Sequence, residues 1–221
     1  MSVTLTPSLP AATFDELTSL ASVLAHVAPM LQVDIVDGIF VPAKSWPFTE
    51  SGNPHITLER LRELPASLPI EIDAMVMYPE NYLDTLASLN VASVIVHMRS
   101  TDAYEAIISH ARAHGYQIGF AVTNDIPLTE LAPYIPHIDF VQVMGIAHIG
   151  TQGQPFDPRT LQTLRTLREL HPALPLTVDG AVNENTVREL VDAGATRLAP
   201  GSAIATAHDP ALAYEQLKAL I

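Results

Sequence analysis

The 221-residue sequence predicts an α/β protein, a single (β/α)8 TIM-barrel domain spanning residues 1–221, on three observations. Short β-branched runs alternate with helical patterns along the whole chain, which calls for a parallel sheet with helical crossovers. Eight such units occur, the number that closes a barrel, and the length suits that fold. The fingerprint G-x-G-x-x-G, expected after the first strand of a dinucleotide-binding doubly wound sheet, is absent. An open doubly wound sheet is the structural alternative. No Gly/Ser linker, visible repeat or low-complexity segment interrupts the alternation.

The first strand is expected at Ser2–Leu5 and its helix at Thr13–Val27. The pairs that follow are Met30–Val36 with Thr57–Leu64, Ile70–Val76 with Asn81–Leu89, and Ala92–His97 with Thr101–His114. In the last of these helices Ala103, Ile107, Ile108 and Ala111 have the spacing of one buried face. Gln117–Val122 is followed by Thr129–Ile135, Asp139–Met144 by Pro158–Leu170, Leu176–Val178 by Glu184–Ala193, and Thr196–Ala199 by Pro210–Leu220. Thr101-Asp102, Asp157-Pro158 and Asn183 suit helix starts, and Gly115 and Gly194 suit C-terminal caps. The 18 prolines fall mostly at element boundaries.

Composition narrows the function. Hydrophobic residues make up 48% and charged residues 16%, enough for a sizeable core. Acidic residues outnumber basic ones 24 to 11, and the net charge of -13 disfavours nucleic acid as a partner. With no cysteine there is no disulfide, thiolate nucleophile or cysteine zinc site. The two lysines, Lys44 and Lys218, weigh against Schiff-base chemistry, since Lys218 falls in the last helical stretch. No apolar run approaches the roughly 18 residues that span a bilayer. Met1-Ser2-Val3-Thr4 carries no basic residue before its apolar stretch, unlike a secretory signal, so the expected compartment is the cytoplasm.

In a barrel the chemistry sits at the carboxyl ends of the strands. Asp34, Asp73 and Asp179 each lie within an otherwise apolar run, where a carboxylate is costly unless paired, hydrogen-bonded or bound to metal. A loop cap or an arginine partner is the plainer explanation for each. Strands two and seven face each other across the mouth of a barrel. Carboxylates on both, Asp34 and Asp179, can take a proton from one face of a small ligand and return one to the other, inverting a stereocentre beside a carbonyl. Loops six to eight bring Gly150, Gly153, Gly180, Gly201 and Ser202 to one rim with few cations. Backbone N–H groups freed by glycine bind phosphate without lysine. His97, at the end of strand four, reads equally as a packing residue or a substrate contact. Trp46 reads as packing. His26, His110, His114, His137, His171 and His208 read as surface residues.

These motifs resemble the ribulose-phosphate 3-epimerase family along nearly the whole chain. Thr6-Pro7-Ser8-Leu9 is similar to the family's opening P-S-I-L, and Val33 through Pro42 to its V-D-V-M-D-G-x-F-V-P. Asp73-Ala74-Met75-Val76 with Pro79-Glu80 resembles H-L-M-V…P-E, and Val143-Met144 with Gly153-Gln154-Pro155-Phe156 resembles V-M…G-Q-K-F. Val178 through Asn183 resembles V-D-G-G-V-N, and Ala193-Gly194-Ala195 through Pro200-Gly201-Ser202-Ala203-Ile204 resembles A-G-A…A-G-S-A-I. The resemblance implies a barrel that interconverts ribulose 5-phosphate and xylulose 5-phosphate, with Asp34 and Asp179 as the acid/base pair. It implies a substrate contact at Ser8 and phosphate binding at Gly180, Gly201 and Ser202. It also implies a divalent metal held by the two aspartates and two histidines.

The departures fall on that metal. Gln32 and Asp73 stand where the histidines are expected, Val36 replaces a methionine and Ala181 a glycine. The ligand set Asp34, Asp73, Asp179 and Gln32 is all oxygen and more anionic, which favours magnesium, manganese or another hard ion over zinc. Lys44 is a second source of positive charge, with solvation as its plainer role. The related decarboxylases' D-x-K-x-x-D pattern is missing at strand three, and strand six ends in Val143-Met144 instead of a Schiff-base lysine. The expected partner is a small phosphorylated sugar, with a homo-oligomer expected from the family's habit of associating through barrel surfaces. Two competing functions are an epimerase or isomerase of another ketose phosphate, and a silent barrel that binds a phosphorylated ligand.

Overall fold

The computed structural model describes residues 3–221. Nine strands form one parallel sheet: β1 Thr4–Leu5, β2 Ser8–Leu9, β3 Leu31–Val36, β4 Ile70–Met75, β5 Ser93–His97, β6 Gln117–Val122, β7 Phe140–Met144, β8 Leu176–Asp179 and β9 Arg197–Ala199. Their order is β1-β9-β8-β7-β6-β5-β4-β3-β2. The two ends of that order are consecutive in the chain, separated only by Thr6-Pro7. Thr6 N–H donates to the Leu198 carbonyl at 2.8 Å and Gln32 N–H to the Pro7 carbonyl at 2.8 Å. The N-terminal strand is therefore longer than expected and brings Ser8 into the sheet. Ser2 of the expected strand lies outside the described residues.

The strands are buried on both faces, and their period of two sorts the side chains. Leu31, Val33 and Ile35 of β3, Ile70, Ile72 and Ala74 of β4, and Val141 and Val143 of β7 belong to the main apolar core. The alternate residues Gln32, Asp34, Glu71, Asp73, His97, Gln142, Thr177 and Asp179 are also buried, but they share the opposite face. One face of the sheet therefore packs on helices and the other carries the polar groups. At β6 that second face is nearly bare: a Cβ on Gly119 would overlap the Phe140 ring, so glycine makes room for it.

The helices are α1 Phe14–Leu24, α2 Pro54–Leu58, α3 Leu83–Ser88, α4 Tyr104–His114, α5 Leu128–Leu131, α6 Arg159–Leu170, α7 Val187–Asp192, α8 Ser202–Ala205 and α9 Pro210–Lys218. Thr13 caps α1 by accepting from Glu16 N–H at 3.2 Å, while the Glu16 carboxylate accepts from Ala12 N–H at 2.8 Å. Asp209 caps α9 ahead of Pro210. Gly115 ends α4 in the left-handed region, at φ 77°.

Several expected helices are shorter or displaced. The Thr57–Leu64 helix starts at Pro54, because Asn53 caps His55 N–H, and it tightens to 3-10 geometry from Glu59. The Asn81–Leu89 helix opens as a 3-10 turn at Pro79–Tyr82. The Thr129–Ile135 stretch gives α5 and a separate 3-10 turn at Ile135–His137, with Pro133 interrupting it. The Thr101–His114 helix starts at Tyr104, Thr101 having spent its hydroxyl on Ala103 N–H. The Glu184–Ala193 helix starts only at Val187. Asn183 turns the preceding loop through Asn185 N–H instead of capping it. α8 was not foreseen. No helix among the described residues is long and apolar enough to cross a membrane.

Candidate active site

A cavity of about 250 Å³ opens at the carboxyl ends of the strands. Its wall contains Asp34 and Asp179, Ser8, all four predicted glycines (Gly150, Gly153, Gly180 and Gly201) and Ser202. β3 and β8 thus place the two carboxylates in one space with the glycine-rich rim. Gly180 sits at φ 96°, a turn that a side chain would strain, and Ala181 follows at φ 55°. Sequence reasoning missed Met75, Met144 and Gln152 of the wall. Gln152 matters most, since its buried Nε2 has no hydrogen-bond partner and lies 2.6 Å from where a Cβ on Gly201 would stand. An orphan amide donor beside backbone N–H groups suits an anion.

Gln32 and Asp73 are fully buried and connect to the cavity through Asp34. Gln32 Nε2 donates to Asp34 Oδ1 at 3.0 Å and lies 3.5 Å from Asp73 Oδ2. Asp73 Oδ1 is 2.8 Å from His97 Nε2, and its Oδ2 accepts from Gln142 Nε2 at 2.8 Å. His97 therefore holds Asp73 in place and does not line the cavity. Gln142 was the other omission. A polar residue at the centre of Phe140-Val141-Gln142-Val143-Met144 was visible, but its partner was not. Ser8 Oγ is 3.4 Å from Asp179 Oδ1, a weak donor to that carboxylate.

Two carboxyls are electrostatically unsettled. Burial pushes the pKa of Asp34 well above the usual carboxylate range, helped by the charges of Asp179 and Asp73, against the Gln32 hydrogen bond. Burial and then Asp73 push Asp179 up to about 7, against the opposing effects of His97, Gly180 N–H and Ser8. Both carboxyls hold their protons more tightly than an ordinary carboxylate, which suits one to act as an acid while the other acts as a base.

The donor chemistry suits a hard cation. Gln32 Oε1 and Gln142 Oε1 are buried without partners, and Asp34, raised first by burial, is raised further by the charges of Asp179 and Asp73. No histidine stands in the cavity wall, so its carboxylates and amides present oxygen donors, which suit a hard ion better than zinc. Asp34 and Asp179 are the groups that would hold such an ion, with Gln32 and Asp73 adjoining Asp34.

Asp37, two residues beyond β3's Ile35, is structural: its carboxylate accepts from the N–H groups of Ile39, Phe40 and Met77 at 2.7–2.9 Å. Trp46 is 1% exposed and packs on Phe14 with ring centroids 5.2 Å apart. Lys44 is exposed, in keeping with solvation.

The solved structures of similar shape share the fold. A 3-hexulose-6-phosphate synthase superposes with a TM-score of 0.73 at 19% identity, covering 100% of both chains. A variant tryptophan synthase α-subunit from Pyrococcus furiosus gives 0.72 at 17% identity, covering 98% of this chain and 95% of its own. Curated relatives are closer in sequence. The ribulose-phosphate 3-epimerase of Schizosaccharomyces pombe is 31% identical over 207 residues, 92% of this chain and 87% of its own. That of Mycobacterium leprae is 31% identical over 217 residues, 96% of this chain and 92% of its own. The model of the ribulose-phosphate 3 epimerase family matches residues 4–205, and the chain belongs to that family.

Proposed function

We propose that this isomerase interconverts D-ribulose 5-phosphate and D-xylulose 5-phosphate, with Asp34 and Asp179 exchanging protons on opposite faces of the sugar. The observation that carries this reading is the pairing of two buried carboxyls of raised pKa in one cavity with an anion-suited rim. Family membership supports the reaction. The ionised carboxyl takes the C3 proton, the electron pair moves onto the C2 carbonyl oxygen, and an enediolate forms. The protonated carboxyl then delivers its proton to the opposite face of C3, and the carbonyl is restored. Gln32 and Ser8 orient the two carboxyls, while His97 and Gln142 hold Asp73 in place behind Asp34. A bound divalent cation would supply charge neutralisation for the enediolate oxygens.

The phosphate would rest on Gly150, Gly153, Gly180, Gly201 and Ser202, with Gln152 Nε2 as a further donor. The single (β/α)8 domain over residues 1–221 belongs to the same reading. It is supported by the N-terminal strand that hydrogen-bonds to both β9 and β3. The same reading takes the enzyme to be cytoplasmic and homo-oligomeric.

A coupled assay with ribulose 5-phosphate tests the reaction, and kcat/KM is expected to follow a bell in pH with one limb near 7. No turnover of this substrate, with turnover of another ketose phosphate, would redirect the assignment. Gly201→Ala would push a methyl onto Gln152 and is expected to raise KM by about tenfold, the worth of one hydrogen bond to a charged group. An unchanged KM would place the phosphate elsewhere. Chelation is expected to lower turnover and magnesium or manganese to restore it. Metal analysis that finds tightly held stoichiometric zinc in the cavity would overturn the hard-ion assignment.

A further inference from the structure

Away from the cavity, α3 and α4 carry three side chains that the epimerisation does not use. Asp84 lies in the first turn of α3, and His110 and His114 lie one turn apart at the end of α4. One carboxylate oxygen and one nitrogen from each ring all lie within 4.8 Å of one another. The two imidazoles stack with centroids 4.0 Å apart and planes 20° apart.

The hydrogen bonds around these rings bear on what the nitrogens can do. His114 Nδ1 is 3.0 Å from the His110 carbonyl oxygen. A carbonyl only accepts, so Nδ1 carries the hydrogen and Nε2 presents a lone pair. His110 stands between two partners: Nδ1 is 2.9 Å from Tyr116 Oη, and Nε2 is 2.9 Å from Asp84 Oδ1. With no ion present, Nε2–H donates to Asp84 and Nδ1 accepts from the hydroxyl. Turning the hydroxyl lets Nδ1–H donate to Tyr116 Oη instead, and Nε2 becomes a ligand with no net change in protonation. Burial raises the Tyr116 pKa, so the group stays a hydroxyl and serves either state. A ligating imidazole whose other nitrogen is held by a hydrogen bond is the usual arrangement at metal centres.

We propose that Asp84, His110 and His114 form a binding site for a borderline divalent cation of the zinc, nickel or copper type that ties α3 to α4. Two imidazole nitrogens and one carboxylate suit these ions and not magnesium or calcium. Bond lengths near 2.0–2.1 Å require the ligand atoms to close to about 3.4 Å in a tetrahedron. The Asp84 side chain is 94% exposed and free to make that move. Water completes the fourth position. The oxygen-rich cavity and this nitrogen-rich surface site therefore select different metals.

Zinc titration of the untagged protein by calorimetry, with thermal melts alongside, tests the site. One zinc is expected to bind wild type and raise its melting temperature, and chelator should reverse the rise. His110→Ala/His114→Ala is expected to lose this binding and the thermal rise while keeping wild-type turnover. Tyr116→Phe is expected to weaken binding by about tenfold. Asp34→Asn/Asp179→Asn, which alters the cavity, should leave the zinc stoichiometry of the surface site intact. No zinc bound to wild type, or equal zinc affinity in the double histidine variant, would overturn the proposal. Loss of zinc binding in the cavity variant alone would assign the ion to the cavity and overturn it too.

Discussion

Asp179→Asn is expected to cut turnover by about 100-fold or more and, above pH 7, to make the fold more stable. The first effect follows from removing a positioned proton donor and acceptor at the cavity wall, and Asp34→Asn should match it. The second follows from the pKa. Asp179 titrates near 7 in the folded protein, against an ordinary 3.8, so the folded state holds the proton more tightly than the unfolded chain. Stability from this group is complete below about pH 4 and is lost progressively as pH rises through 7. The loss reaches about 4 kcal/mol at most, since part of the shift comes from coupling to the other carboxyls. Asparagine carries no charge to bury. The melting temperatures of variant and wild type, measured in chelator, should nearly coincide below about pH 4 and separate by several degrees by about pH 8. A constant difference across that range would show that burial does not raise this carboxyl, and near-normal turnover would remove Asp179 from the mechanism.

That opposition of activity and stability explains which features were legible in the sequence. Asp34, Asp73 and Asp179 stood out because each breaks an apolar strand at a cost that only function or a partner offsets. The strands themselves were legible as short runs rich in apolar and β-branched residues, and β3, β4, β5, β7 and β8 are buried throughout. What stayed hidden is set by register between distant strands. His97 and Asp73 are neighbours only because β4 and β5 pair, and Gln142 reaches Asp73 from across the sheet. No local pattern in the chain encodes either contact. Short elements were hidden for a different reason. α8 has four residues, too few for a helical period, Pro133 interrupts one expected helix, and another opens as a 3-10 turn at Pro79. Gln152 sits in a loop where composition suggested only glycine chemistry.

Arg197→Met is expected to lower stability by about 3–5 kcal/mol and to leave the chemistry of the folded molecules unchanged. Arg197 opens β9 and meets Glu71, whose side chain is fully buried, at 2.6 Å. Ser93 Oγ donates to the same Glu71 oxygen at 2.6 Å, and the guanidinium lies 4.3 Å over the Phe140 ring. This polar layer lies on the same face of the sheet as Asp73 but two residues earlier along β4, towards the amino ends of the strands and away from the cavity. Removing the cation leaves a buried carboxylate with Ser93 on one oxygen, while its other oxygen, Oε1, already lacks a partner. For a chain of this length the melting temperature should fall by roughly 6–20 °C. Adding Glu71→Gln to Arg197→Met should recover much of the loss, because the amide still accepts from Ser93 and buries no charge. A single variant as stable as wild type would mean that water or another cation reaches Glu71. A double variant no better than the single would mean that Arg197 stabilises through the Phe140 ring and not through the carboxylate.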